Sequence, residues 1–213
     1  MKRREVLKSL GLGAGALVAT PTILSLLQSC TNEPEFNPLF LSKGEGHALR
    51  RIVDLIIPSD DQVPGAVDVG VHSFIDSYFN SVLEPEGQAF VRTGFTVLAN
   101  KFRSTFEKEL EAGKPKEFDQ LLIQYLKTTK EEQKAYQEKM GEFMAAMAED
   151  PNAVPDEDAG MFSLLSAVRD MTIWGWKSSE EIGKNVLWYD PVPGVQRGCI
   201  PLSEAGNGNV MAL

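Results

Sequence analysis

The fold class is decided by the stretch LRRIVDLIIPSDDQVPGAVDVGVHSFIDSYFNSV, which covers residues 49–82. Up to Pro58 the apolar residues recur every three or four positions, and the same spacing resumes at Val71 and continues to Val82. Apolar residues at this spacing line one face of an α-helix, whereas a half-buried strand would alternate at every second position. We therefore predict two helices joined by a loop over residues 58–70.

Capping signals predict where these two helices begin. Ser42 and Glu45 have the spacing of a capping box, in which each side chain accepts a hydrogen bond from the other residue's backbone N–H. Pro58 cannot continue a helix, so the first helix should end before it. Asp68 is predicted to cap the second helix.

The helical spacing continues with a third helix that is predicted to begin at Pro85. Proline is favoured in the first turn because its missing N–H has no helical partner there. This helix is expected to be the longest, and Gly113 followed by Pro115 is predicted to stop it. A fourth short helix around Phe118 follows.

Two further helices are predicted after residue 128. Thr129 and Glu132 suggest a capping box for a fifth helix that runs to about Ala148, and Asp156 is predicted to cap a sixth. After Trp174 the helical spacing fades, and an irregular C-terminal tail rich in glycine, proline and aromatic residues is expected.

No segment shows sustained alternation, so the predicted fold class is all-α, a single bundle of about six helices. Three regions are expected along the chain. Residues 1–29 form a signal peptide, residues 30–41 a polar tether, and residues 42–213 the helical domain. A domain of roughly 180 residues can bury a sizeable core without metals or disulfides.

The N-terminal segment MKRREVLKSLGLGAGALVATPTILSLLQSC predicts export. A basic head precedes an uncharged stretch, which is the pattern of a signal peptide. The adjacent Arg3 and Arg4, followed by an apolar pair, resemble a twin-arginine signal. Proteins that use this signal cross the membrane folded, so assembly with a partner before export is expected.

The end of this segment, Leu27 to Cys30, resembles a lipobox, where the cysteine is acylated and becomes the new N-terminus. Cys30 is therefore the predicted lipidation site, with the protein held on the membrane in the cell envelope and facing the periplasm. An uncleaved membrane anchor is the alternative, because the apolar stretch is about long enough to span a bilayer. Gly11, Gly13, Gly15 and Pro21 would make such a helix weak.

The chain is acidic, with a formal net charge of −9, and four of its basic residues lie in the predicted leader. An acidic domain repels nucleic acid and anionic lipid headgroups, so no nucleic-acid partner is expected. Solubility is the simpler explanation of the charge.

Motifs for catalysis or for a resident cofactor are not found in the sequence. His47 and His72 are the two histidines, without metal-ligand spacing, and the sequence has no CxxCH, CxxC, GxSxG or Walker motif. The acidic pair Asp60 and Asp61 more simply forms a solvated loop. We expect no catalytic residue, no metal and no cofactor in this chain, with an independent enzyme that uses His72 or the acidic loop as the alternative.

The C-terminal stretch WGWKSSEEIGKNVLWYDPVPGVQRGCIPL, residues 174–202, is unusually aromatic. Such residues either cover the domain's own core or anchor a partner, since aromatic side chains are enriched at protein interfaces. Cys199 would be the one thiol left after acylation of Cys30. It is predicted either to be buried as a small apolar residue or to lie at an interface, with a disulfide to a partner as a further possibility.

The stretch around the predicted loop and the aromatic C-terminal stretch resemble the gluconate 2-dehydrogenase subunit 3 family. The resemblance covers residues 46–202. The N-terminal match is to an IIP phrase, a D-x-x-x-PGA loop and a G-V-x-x-F-I-D helix start: Ile56, Ile57, Pro58, Asp60, Pro64, Gly65, Ala66, Gly70, Val71, Phe74, Ile75 and Asp76. The C-terminal match is to an aromatic and glycine run and a PVPG-x-x-x-GCIPL close: Gly175, Trp176, Gly183, Asn185, Asp190, Pro191, Pro193, Gly194, Gly198 and Cys199. Gln196 departs from the aromatic residue that relatives often carry there.

The resemblance implies a non-catalytic small subunit that binds a flavoprotein dehydrogenase of the glucose-methanol-choline type. FAD is then expected in the partner, with a cytochrome c subunit as a second candidate partner, and a scaffold for an unrelated partner is the alternative. The interface is expected at Pro58, Asp60, Pro64, Gly65, His72, Trp174, Trp176, Asn185, Tyr189, Pro191, Pro193 and Cys199.

Overall fold

The structure of the protein is a computed structural model that describes residues 36–150, 153–189, 194–195, 198–201, 203–204 and 206–211. The chain divides into two compact units, residues 1–36 and 37–213, and all described residues except Phe36 belong to the second. The predicted export pair Arg3 and Arg4 and the predicted lipidation site Cys30 lie outside the described residues. Pro191 and Pro193 lie outside them as well.

The described residues form an all-α fold, as predicted, with seven α-helices and no strand within these ranges. The helices are α1 Lys43–Ile56, α2 Val71–Ser81, α3 Pro85–Phe106, α4 Pro115–Leu126, α5 Lys130–Glu149, α6 Glu157–Ser178 and α7 Glu180–Asn185. None of the described helices is both long and apolar enough to cross a membrane.

The predicted capping boxes are confirmed. The Ser42 hydroxyl accepts the Glu45 N–H at 3.3 Å, and the Glu45 carboxylate accepts the Ser42 N–H at 2.8 Å. Thr129 and Glu132 make the same reciprocal pair at the start of α5. The Asp156 carboxylate accepts the Ala159 N–H at 3.0 Å and caps α6, also as predicted.

The ends of two helices differ from the prediction. Helix α3 ends at Phe106 instead of near Gly113, because Glu107 adopts a left-handed conformation with φ of 55°. At 22 residues it equals α6 in length and is not the longest alone. Helix α6 continues past Trp174 to Ser178, so the aromatic run that was predicted to begin an irregular tail is helical.

Helix α6 lies at the centre of the domain and packs against α1 to α5. The largest buried side chains are aromatic, and the rings of Phe102 and Phe118 stack with centroids 4.9 Å apart. The hydroxyl of the buried Tyr125, on α4, donates a hydrogen bond at 2.6 Å to Asp158 in the first turn of α6. Burial of this aromatic and aliphatic core is the main source of stability.

The last residues of the predicted tether lie against the domain. The carboxylate of Asp76, which is 1% exposed, accepts backbone N–H groups from Leu39 at 2.5 Å and Leu41 at 2.9 Å, and from Phe40 between them. The guanidinium of Arg92 lies 4.0 Å from the centre of the Phe40 ring, a cation–π contact. Residues 39–41 are therefore bound to α2 and α3.

Candidate partner-binding surface

The loop between α1 and α2 is ordered by its own hydrogen bonds. The Asp60 carboxylate accepts the N–H groups of Gln62 and Val63, both at 2.8 Å, while the Asp60 N–H donates to the Val63 carbonyl at 3.1 Å. These donors stabilise the charged form and lower the pKa of Asp60. The exposed acidic tip is therefore a compact turn with a fixed shape.

Gly65 is required by a close approach of two backbone segments. A Cβ atom at this position would lie 2.5 Å from the Ser59 nitrogen and 2.8 Å from the Pro58 carbonyl carbon, which is closer than real Cβ contacts. Next to it, the Ala66 N–H donates to the Ile57 carbonyl at 2.9 Å. The loop thus folds back on the end of α1, and a larger residue has no space there.

Asp68 does not cap α2, contrary to the prediction. Its carboxylate accepts the Gly65 N–H at 2.9 Å, and the residue before the helix is Gly70, which has a φ of 77°. Glycine adopts this left-handed conformation without the steric cost of a side chain. Asp68 therefore stabilises the loop, and Gly70 sets the direction in which α2 leaves it.

The structure brings the predicted loop and the predicted aromatic run together. The indole Nε1 of Trp176 donates a hydrogen bond to the Pro64 carbonyl at 3.0 Å. Gly175 lies against α2, where an added Cβ would approach Val71 and Phe74 side-chain atoms to 3.2 Å. Two regions that are far apart in sequence therefore form one continuous surface.

An aromatic cluster on this surface is formed by Phe74, Tyr78 and Trp174. The Trp174 ring lies 5.3 Å from the Phe74 ring and 6.5 Å from the Tyr78 ring, and the Phe74 and Tyr78 rings are 6.2 Å apart. Trp174 is 46% exposed and Phe74 38% exposed. Exposed aromatic side chains that touch one another are typical of protein interfaces.

The apolar spacing from Val71 to Val82 predicts one buried face that includes Phe74 and Tyr78, and neither residue is among the predicted interface residues. The buried side of the helix carries Val71, Ile75 and Phe79 instead. The sequence carries no sign of this difference, because the apolar positions of α2 form one continuous stripe, and the packing of neighbouring helices decides how much of that stripe is covered.

His72 lies in the first turn of α2 and is nearly buried, so it does not present its ring at the exposed surface. Burial disfavours the charged imidazolium and, with the nearby positive charge of Arg50, lowers the pKa of His72 to about 4. The imidazole is therefore neutral at physiological pH.

The remaining predicted interface residues in the described part are exposed. Pro58 lies at the edge of the loop, and Asn185 ends α7. Tyr189 is 52% exposed, and Cys199 is an exposed free thiol, which differs from the buried alternative. Just before Tyr189, the backbone N–H of Trp188 donates to the Val210 carbonyl at 2.9 Å, which links this segment to the C-terminal residues.

The described residues contain no group of three or more histidine, cysteine, aspartate or glutamate side chains that could hold a metal ion. The carboxylates of Asp60 and Asp68 accept hydrogen bonds from backbone N–H groups of the loop itself. What the arrangement offers is a rigid loop beside exposed aromatic rings, which suits binding to another protein.

The fold and surface define a small all-α domain with a stiffened loop and an exposed aromatic cluster. Residues 43–194 match the sequence model of the family described as gluconate 2-dehydrogenase subunit 3, and the chain belongs to this family. The resemblance inferred from the sequence motifs is thereby confirmed. No curated protein and no solved structure matched the chain.

Proposed function

We propose that this protein is a non-catalytic small subunit that binds an FAD-dependent dehydrogenase of the glucose-methanol-choline type and supports its folding, export or anchoring. The family name describes a subunit of a dehydrogenase, which supports association with such a complex. The flavin and the substrate chemistry belong to the partner in this proposal. A cytochrome c subunit is the second candidate partner.

The observation that carries the proposal is the exposed aromatic cluster beside the rigid loop. Trp174 and Phe74 leave apolar ring surface in contact with water, which is unfavourable unless another surface covers it. The hydrogen bond from Trp176 to Pro64 holds the loop against the C-terminal end of α6, which also carries Trp174. A preorganised surface loses little conformational entropy on binding, so its apolar contacts contribute more to affinity.

Partner capture from the native cell envelope tests this proposal. Trp174→Ala and Tyr189→Ala should each weaken binding of the flavoprotein about thirtyfold or more, the effect of losing roughly 2 kcal/mol at an interface hot spot. Ile123→Ala is the matched control, because Ile123 is equally exposed (46%) but lies on α4. Capture of the flavoprotein that is equal for all three variants and the natural chain would rule out this surface.

We further propose that the protein is exported folded and is held on the membrane by a lipid on Cys30. The adjacent Arg3 and Arg4 and the lipobox-like segment before Cys30 support this route. Lysine keeps the charge of arginine but lacks the guanidinium geometry, so the Arg3→Lys, Arg4→Lys double variant should remain in the cytoplasm. Normal export of that variant would point to the general secretory route.

Mass spectrometry of the protein from membranes tests the anchor directly. The expected N-terminal fragment begins at an acylated Cys30, and Cys30→Ala should release or misprocess the protein. An unmodified Cys30 thiol in the mature protein would contradict the anchor while leaving the partner proposal intact.

A further inference from the structure

A cavity of about 170 Å³ lies between α2, α3, α5 and α6. One side of α6 lines it over about three turns, at three- and four-residue spacing: Gly160, Ser163, Leu164, Ala167, Val168 and Met171. Thr93, one of the few polar residues in the wall, donates its hydroxyl to the Ala89 carbonyl at 3.0 Å. The cavity therefore provides apolar contact and little hydrogen bonding.

The cavity extends along α6, because the residues of this helix that line it run from Gly160 to Met171. At one end Gly160 faces Pro155, with an added Cβ 3.5 Å from the proline ring. At the other end the cavity is lined by Met171 and by Tyr78, whose ring is 6.5 Å from that of Trp174, one turn further along α6. From residue 160 to residue 171 an α-helix rises by about 16 Å, so a volume of this size is narrow as well as long.

We propose that this cavity binds one hydrocarbon chain of a lipid-like amphiphile. An apolar cavity of this kind does not hold water well, and each methylene group buried in it is favourable. A long, narrow shape fits an extended chain better than a compact ring. Met140 and Met171 in the wall are flexible side chains that adapt to such a ligand.

The polar end of the amphiphile has a way out of the cavity. Ala167, part of the lining, is exposed, so the cavity opens to solvent beside α6. Tyr78 and Trp174 flank the end near Met171, and their rings combine an apolar body with a polar group, which suits the boundary between a chain and its headgroup. This ligand is additional to the proposed protein partner, and the inference does not depend on it.

Titration with cis-parinaric acid, a fatty acid that fluoresces when its chain leaves water, tests the inference. The full-length Cys30→Ala chain is used, so that no acyl group is attached to the protein. Saturable binding of one probe per chain is expected. Ala167→Phe and Ser163→Leu, which place extra side-chain atoms at the opening and in the wall, should each weaken binding by about tenfold. Ala145→Phe, at an exposed position of α5 outside the lining, is the control and should bind normally.

Competition with a second ligand shows whether the unaltered cavity prefers a hydrocarbon chain or an aromatic ring. This experiment does not rely on the folding of a cavity variant. Dodecanoate should displace the probe, whereas toluene should displace it poorly. Three outcomes would overturn the assignment: no saturable binding, binding by both cavity variants as tight as that of the Cys30→Ala chain, or displacement by toluene as effective as that by dodecanoate. Flavoprotein capture is measured separately, so the partner proposal is judged on its own result.

Discussion

The indole nitrogen of Trp176 and the carbonyl oxygen of Pro64 are joined by a hydrogen bond of 3.0 Å across 112 positions of sequence. The bond links the C-terminal turns of α6 to the loop before α2. Loss of either group leaves the other without its hydrogen-bond partner. Because both groups are partly buried, this loss costs more free energy than the net contribution of the bond itself.

Trp176→Phe keeps most of the ring and removes this bond. We expect the free energy of unfolding to fall by about 1 kcal/mol, measured by urea denaturation of the isolated subunit. Trp174→Phe is the control and should have little effect on stability, because the Trp174 side chain is exposed whereas that of Trp176 is partly buried. Equal losses for the two variants would show that the Trp176 bond contributes nothing specific.

Gly65→Ala should destabilise the protein by about 2 kcal/mol or more, because the added Cβ meets backbone atoms of Pro58 and Ser59 that belong to the same tight loop. Gly141→Ala is the matched control. Gly141 lies within α5 with open space around it, so alanine should stabilise the helix by about 0.5–1 kcal/mol. Thermal unfolding of both variants should show shifts of opposite sign.

Asp76→Ala removes the acceptor for three backbone N–H groups. We expect a loss of about 3 kcal/mol, since those donors are left in a buried site without an acceptor. Limited proteolysis should then cleave near residues 39–41, which lose their attachment to α2. The exposed Asp119→Ala on α4 is the control. An unchanged proteolysis pattern in the Asp76 variant would indicate that the other contacts of Phe40 hold the segment.

The buried His72 should make stability depend on pH. In the unfolded chain its pKa is near 6.5, and in the folded protein about 4, so the unfolded state binds the proton first as pH falls. Stability should therefore be full above pH 6.5 and fall between pH 6.5 and 4, by about 2 kcal/mol once solvent screening is allowed for. His72→Gln should flatten this part of the curve in chemical denaturation at several pH values. Identical curves for both chains would assign the pH dependence to the carboxylates.

Local signals in the sequence predicted the helices well. The capping boxes at Ser42 and Thr129 depend only on a residue three positions away, so the chain itself contains both partners. The N-cap at Asp156 is of the same kind. The Asp68 prediction was wrong because the same carboxylate has a competing acceptor role toward the Gly65 N–H, which becomes available only when the loop folds back.

The two regions of the candidate surface were also identified from sequence, on their motifs and aromatic content. Their contact was not predicted, and neither was the helical conformation around Trp174. Glycine and aromatic residues have modest helix propensity, which suggested an irregular tail. Packing of α6 against α2, with Gly175 allowing the close approach of Val71 and Phe74, outweighs that propensity.

The sequence by itself determined the all-α class, the caps at Ser42, Thr129 and Asp156, and the family, because each rests on spacing within a few residues or on motifs along the chain. Tertiary structure alone decided which apolar residues of α2 are buried and which, like Phe74, face outward beside Trp174. It also decided that Asp76 binds residues 39–41 and that Trp176 reaches Pro64. These outcomes depend on how the helices pack, since burial and long-range hydrogen bonds follow from the positions of neighbours that no local pattern specifies.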